Sequence, residues 1–123
     1  MEADVNEISI NGVQYVPKGG VSEKAQDLNG MHYVIVRTYS AGVFAGYLDS
    51  KKGQEVVLIN ARRLWYWDGA ASLSQLATEG TSKPNQCKFP CEVERIELLQ
   101  AIEIIDVTKK AQKSINGVKV WKQ

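Results

Sequence analysis

Apolar and polar residues alternate with a period of two along much of the chain, the pattern of strands with one covered face. Ile8-Ser9-Ile10 and Val13-Gln14-Tyr15-Val16 flank Asn11-Gly12, a pair that accepts the positive φ of a two-residue turn, so residues 1–16 are expected to form a hairpin. Residues 17–30 hold Gly19-Gly20 and scattered charges without a sustained period, and they read as a linker or lid. Met31 to Thr38 is rich in β-branched and aromatic residues, Ser40-Ala41-Gly42 turns the chain, and Val43 to Asp49 repeats the pattern. After Lys52-Gly53 a third strand runs from Glu55 to Asn60, and its pattern continues through Arg62-Arg63-Leu64-Trp65-Tyr66-Trp67. These three strands are expected to form a meander at the centre of an antiparallel sheet.

Helical spacing enters in two places only. Ser72-Leu73-Ser74-Gln75 has the Ser-x-x-Gln form of a capping box, with Leu73, Leu76 and Ala77 on one face and Gly80 where the helix should stop. Thr108 is expected to cap a second helix that reaches about Ile115 and ends at Asn116-Gly117. Between the helices lie a loop from Thr81 to Pro90 and two strand-like runs, Val93 to Leu98 and Ala101 to Val107, separated by a bulge at Leu99-Gln100. Val118 to Trp121 alternates as a closing strand. The expected class is therefore α+β: an antiparallel sheet and hairpins with two short helices, in one domain over residues 1–123 whose main body is 31–123.

Composition removes several function classes. With 123 residues, 44% hydrophobic and 24% charged, the chain can bury one core without staples, and global disorder is disfavoured. Apolar runs such as Tyr33-Val34-Ile35-Val36 are too short to span a bilayer, and the acidic start Met1-Glu2-Ala3-Asp4 is unlike a secretory signal, so a cytosolic protein is expected. A net charge of +1 argues against a dedicated binder of duplex nucleic acid, although the end of the chain from Lys109 carries five lysines and no acid. The plain reading of those lysines is a solvated helix face and tail. Cys87 and Cys91 flank Phe89-Pro90, and with His32 as the sole histidine they do not make up a zinc ligand set; two free thiols are expected, with no metal and no cofactor. Many strand edges in so small a chain suggest a homo-oligomer, most simply a two-fold dimer.

Catalytic motifs are missing from the sequence: there is no Gly-x-Ser-x-Gly elbow, no phosphate-binding Walker loop and no His-Glu-x-x-His. The chemistry that is present suits binding. If residues 62–67 are a strand, Arg63, Trp65 and Trp67 share one face and Arg62, Leu64 and Tyr66 the other. A guanidinium beside an indole can hold a phosphate and stack on a base. The competing use of the same tryptophans is core packing, with the arginines rimming the sheet. Gly69 to Ser72 leads small residues into a helix start, where free N–H groups attract an anion. The turn after Arg37 adds the hydroxyls of Tyr39 and Ser40. The candidate ligand residues are thus Arg62, Arg63, Trp65, Trp67, Gly69, Ser72, Arg37, Tyr39 and Ser40.

The run from Tyr33 to Val43, the segments Glu55-Val56-Val57-Leu58 and Ala61 to Trp67, Ser72-Leu73-Ser74-Gln75-Leu76-Ala77 and Ala101-Ile102-Glu103-Ile104-Ile105 together resemble a family of small uncharacterised proteins of tailed phages and prophages. The resemblance covers roughly residues 31–107 and brings no catalytic motif. It implies a phage-encoded protein without enzymatic activity. That class includes proteins that sequester the nucleotide signals of bacterial defence systems such as Thoeris or CBASS, which are ADP-ribose derivatives or cyclic nucleotides. The alternative it leaves open is an interaction module or accessory factor that binds a host or phage protein.

Overall fold

A run of four apolar residues, Tyr33-Val34-Ile35-Val36, fits a strand only if both faces are covered, and all four are buried. They open β3 (Tyr33–Thr38). The computed structural model describes residues 23–123 and the backbone of two short strands, β1 (Ile8–Ile10) and β2 (Val13–Tyr15), which pair antiparallel. The expected Asn11-Gly12 turn and residues 17–22 of the expected linker lie outside the described residues. Residues 23–30 do not stand away as a lid: Lys24 bridges Thr108, Ala25 N–H donates to Val107 O at 2.9 Å, and Ala25 is buried.

β3, β4 (Val43–Lys52) and β5 (Glu55–Arg63) form the expected meander. β6 (Glu92–Leu98) adds beside β5 and β7 (Ala101–Asp106) beside β3, giving the antiparallel order β6-β5-β4-β3-β7. Only Leu99 and Gln100 separate the two edge strands. Edges of a flat five-stranded sheet stand about 19 Å apart, whereas the three peptide links from Leu98 to Ala101 span at most about 11 Å. The sheet must therefore curl until its edges meet at this corner. Gln100, at φ 59°, turns the chain there; its carbonyl accepts from Tyr39 N–H and Ala101 N–H donates to Gln54 O. Leu99-Gln100 is thus not the bulge expected from the sequence but a corner between strands at opposite edges of the sheet. Register shifts in β4 at Ala45/Tyr47 and Leu48/Ser50 supply the bend.

Curling splits the core in two. Val34, Val36, Phe44, Val56, Leu58, Ala61 and Leu98 come from four strands and fill the concave side, with Ile104 of β7 packed against them. The convex side packs Tyr33, Ile35, Ala45 and Leu64 against α1 (Leu73–Glu79) and α2 (Lys109–Gly117) through Leu76, Ala77, Ala111 and Ile115. Both helices start as expected. Ser72 Oγ accepts from Gln75 N–H at 3.1 Å, while Gln75 Oε1 accepts from Ala71 N–H at 2.7 Å. Thr108 Oγ1 accepts from Ala111 N–H and donates to Thr78 O, so one hydroxyl both caps α2 and ties it to α1. Gly80, at φ 80°, ends α1 against the Ser114 side chain of α2, where a Cβ would collide.

Two expected strand segments are shorter than the pattern implied. β5 stops at Arg63, and beyond it only Tyr66 pairs, as a single bridge to Lys88. Val118–Trp121 is likewise not a strand: Val118 caps α2, and Val120 makes one parallel bridge to Phe89. In both places the chain runs beside the 87–90 loop, which is too short to offer a ladder.

Arg62 joins the layers. It is buried, on the convex side with Leu64, and its guanidinium donates to four backbone carbonyls: Nε to Pro90 O (2.9 Å), Nη1 to Ile115 O (2.7 Å), and Nη2 to Phe89 O (3.1 Å) and Val118 O (2.6 Å). Burial pulls its pKa below the ordinary value, with Tyr33 and Glu92 opposing. The cation sits at the C-terminal end of α2, where the helix dipole is negative. Replacing Arg62 by Ala removes the donor of Pro90 O and Val118 O, whereas Phe89 O keeps Trp121 N–H and Ile115 O keeps Val118 N–H; with the loss of the buried fork the change is expected to cost about 3 kcal/mol. Lys, with no planar fork, should rescue little of it; urea unfolding of the two variants measures both.

Tyr33 makes the same boundary sensitive to alkali. Its hydroxyl donates to Asn116 Oδ1 at 3.3 Å, and burial, with Tyr47 adding, pushes the phenol pKa well above the ordinary value. The neutral phenol is thus favoured in the folded state. Its contribution is complete below the unfolded-state pKa of about 10 and is lost as pH rises above it. Tyr33→Phe should flatten the fall of melting temperature above that pH and change it little at neutrality.

Candidate functional site

Pairing register decides which arginines can act together. Arg37 faces Val43 and Phe44 faces Arg63, and Val43 and Phe44 are neighbours on one strand, so Arg37 and Arg63 point to opposite sides of the sheet. Arg37 is also neutralised, its Nε donating to Glu103 Oε1 at 2.7 Å. Arg62 is withdrawn from the candidates because its donors are held by carbonyls in the interior. Arg63 is the arginine that remains. Its guanidinium lies 4.4 Å from the centre of the Phe44 ring, closing the concave core, and Nη1 donates to Ala41 O at 2.8 Å. Among the described residues it forms no ion pair.

The Ala41 carbonyl belongs to a braced turn. Thr38 Oγ1 donates to Gly42 O at 2.8 Å and accepts from Ala41 N–H at 2.9 Å. Gly42, at φ 110°, gives the turn a conformation that favours glycine. Tyr39 is 75% exposed on this turn and Ser40 is exposed beside it. Leu64 N–H donates to Val43 O, so continuing the register brings Trp65 level with Gly42. Trp65 is 64% exposed. The backbone therefore sets the Arg63–Trp65 segment alongside the turn that carries Tyr39 and Ser40, at one rim of the curled sheet.

Trp67, Gly69 and Ser72 are not part of that rim. Trp67 packs against the convex-side core, on the side of Leu64, because the strand ends before the expected alternation reaches it. Gly69, at φ 84°, is covered by its own chain: its carbonyl accepts from Ser82 N–H and Ser82 Oγ, and an added Cβ would meet Thr81 Oγ1 and Lys83 N at 2.5 Å. No room is left there for a phosphate. Ser72 is used in capping, and the N–H groups of Gln75 and Ala71 at the start of α1 are already taken by Ser72 Oγ and Gln75 Oε1. Cavities of about 550 Å³, between the Lys52–Glu55 turn and Leu99-Gln100, and about 400 Å³, between Asp68 and Ser82–Gln86, contain neither arginine nor tryptophan.

The fold also assembles a cluster that the sequence pattern did not single out. Residues 87–90 run between Tyr66 and the C-terminal segment: Lys88 N–H donates to Tyr66 O at 2.8 Å, and Trp121 N–H donates to Phe89 O at 3.0 Å. Lys88 Nζ lies 5.8 Å from the Tyr66 ring centre and 5.7 Å from that of Trp121. All three side chains are exposed. They stand 22 and 33 positions apart, so no local motif marks them.

The remaining reactive groups are dispersed. Cys87 is buried and free, with its thiol toward Asp68 O at 3.5 Å, while Cys91 is free and exposed. His32 Nδ1 lies 3.0 Å from Asp27 Oδ1 at the surface. Among the described residues no group of His, Cys, Asp and Glu is arranged to hold a metal, and no helix is long and apolar enough to cross a membrane.

Fold and rim together define a small α+β protein with a curled five-stranded sheet, two packed helices and an open aromatic surface. Residues 31–115 match the family model described as domain of unknown function DUF6948, and the chain belongs to that family. No curated protein and no solved structure matches it. The rim itself should be dispensable for folding: Trp65→Ala is expected to keep the melting temperature within about 2 °C of the wild type, since substitutions at open surface positions usually stay within about 0.5 kcal/mol.

Proposed function

We propose that this protein is a non-enzymatic binding protein for a nucleotide-derived anion, with Arg63 as the phosphate contact and Trp65 as the stacking surface. The observation that carries this reading is the anchoring of Arg63 by Ala41 O and the Phe44 ring, which fixes a planar cation two residues before the exposed Trp65 and against the turn that carries Tyr39 and Ser40. A guanidinium already fixed loses little freedom on binding. ADP-ribose derivatives and cyclic nucleotides carry both the ring and the phosphates such a pair takes. A phage-encoded protein holding one of them without turnover would silence the bacterial defence that the signal triggers. The competing reading is a host or phage protein docked on the same surface, and it is favoured by Trp65 lying open instead of in a concavity.

Calorimetry against ADP-ribose derivatives and cyclic dinucleotides separates the two. The nucleotide reading expects micromolar or tighter binding, ligand recovered intact, loss of binding in Arg63→Glu, and a weakening of about 5- to 150-fold in Trp65→Ala. Absence of heat with every nucleotide leaves the protein-docking reading, and recovery of a hydrolysed ligand would make the protein an enzyme.

A further inference from the structure

We infer that the exposed platform of Tyr66, Lys88 and Trp121 binds single-stranded nucleic acid, stacking one base on each ring with the Lys88 ammonium on the phosphate between them. The inference stands apart from the Arg63 rim, since it uses other residues and another ligand class. Its basis is an ordered triplet. Three extended segments lie side by side, the middle one contributing the cation and each outer one a ring, at nearly equal distances of 5.8 and 5.7 Å from Lys88 Nζ.

The platform is held from below. Cys87 and Phe89, the neighbours of Lys88, are both buried, so the backbone that presents Lys88 is fixed by the convex-side core and by the Arg62 contact to Phe89 O. Side chains alternate along an extended segment, and burying 87 and 89 forces 88 outward. Beside Trp121 the charge is of one sign, since Lys119 and Lys122 flank it in an exposed segment and no acidic residue follows Asp106, while Asp68 and Glu92 lie two and four residues from Tyr66 and Lys88. Among the described residues Lys88 forms no ion pair.

Those features select among ligands. Aromatic rings on an open sheet-like surface stack bases of any identity, with cations tracking the backbone, whereas duplex bases are already stacked and present no faces to the rings. An acidic peptide would satisfy Lys88, Lys119 and Lys122 but leave both rings without a partner. The alternation of ring, cation and ring matches base, phosphate and base.

Fluorescence anisotropy with labelled decamers of thymidylate and uridylate at low salt tests this, with a duplex of equal length and an oligoglutamate peptide as competitors. The expected result is binding of the single strands in preference to both competitors. Tyr66→Ala and Trp121→Ala should each weaken it about 5- to 150-fold, while Tyr66→Phe, which keeps the ring, should bind like the wild type. Lys88→Gln should reduce the slope of log affinity against log salt by about 0.7. Circular dichroism melts of each variant establish that the fold is retained. Failure to bind decamers, binding unaffected by all three substitutions, or preference for oligoglutamate would overturn the inference, the last in favour of an acidic protein partner. None of these outcomes bears on the calorimetry of Arg63 with mononucleotides, so the two sites stand or fall separately.

Discussion

One buried cation organises this molecule. Arg62 leaves the end of a central strand and donates to carbonyls of the 89–90 loop and of the C-terminal end of α2, thereby joining the sheet, the loop and a helix at one point. Four carbonyl dipoles of the helix end and the loop converge on the guanidinium in place of a carboxylate, and two of them, Pro90 O and Val118 O, would be costly to bury without that donor. The same contact fixes the 87–90 segment, and with it the surface on which Lys88 stands.

Closure of the sheet is the second constraint. A connection of two residues between the edge strands forces the meander to curl, and the concave side is filled by its own apolar side chains, which leaves the candidate chemistry at the rims. Arg63 closes one such rim over Phe44. The proposed binding functions accordingly use open surfaces, with stacking and charge as the forces.

Local chemistry was readable where neighbours in the chain decide the outcome. Both helix caps, the stop at Gly80 and the central meander follow from spacing, hydroxyl caps and turn residues, whereas Leu99-Gln100 joins opposite edges of the sheet instead of interrupting one strand. The lengths of the strands at residues 62–67 and 118–121 were not readable. Alternation marks where a strand can form, but a ladder also needs a partner of equal length, and the 87–90 loop is none.

The candidate site divides along the same line. Arg63, Trp65, Tyr39 and Ser40 were picked from residue type, and the turn and register bring them together. Arg62 looked identical to Arg63 in sequence. One residue of alternation sends its neighbour to the concave rim and Arg62 itself into the interior, where its charge meets carbonyls far away in the chain. Tyr66, Lys88 and Trp121 carry no local signal at all. The sequence by itself determined the central strands, the two helices with their caps and the class of fold, because those depend on interactions over a few residues. Which cation is structural, which is open, and which rings stand beside it were decided only by tertiary structure, because they depend on pairing between segments that the chain order leaves apart.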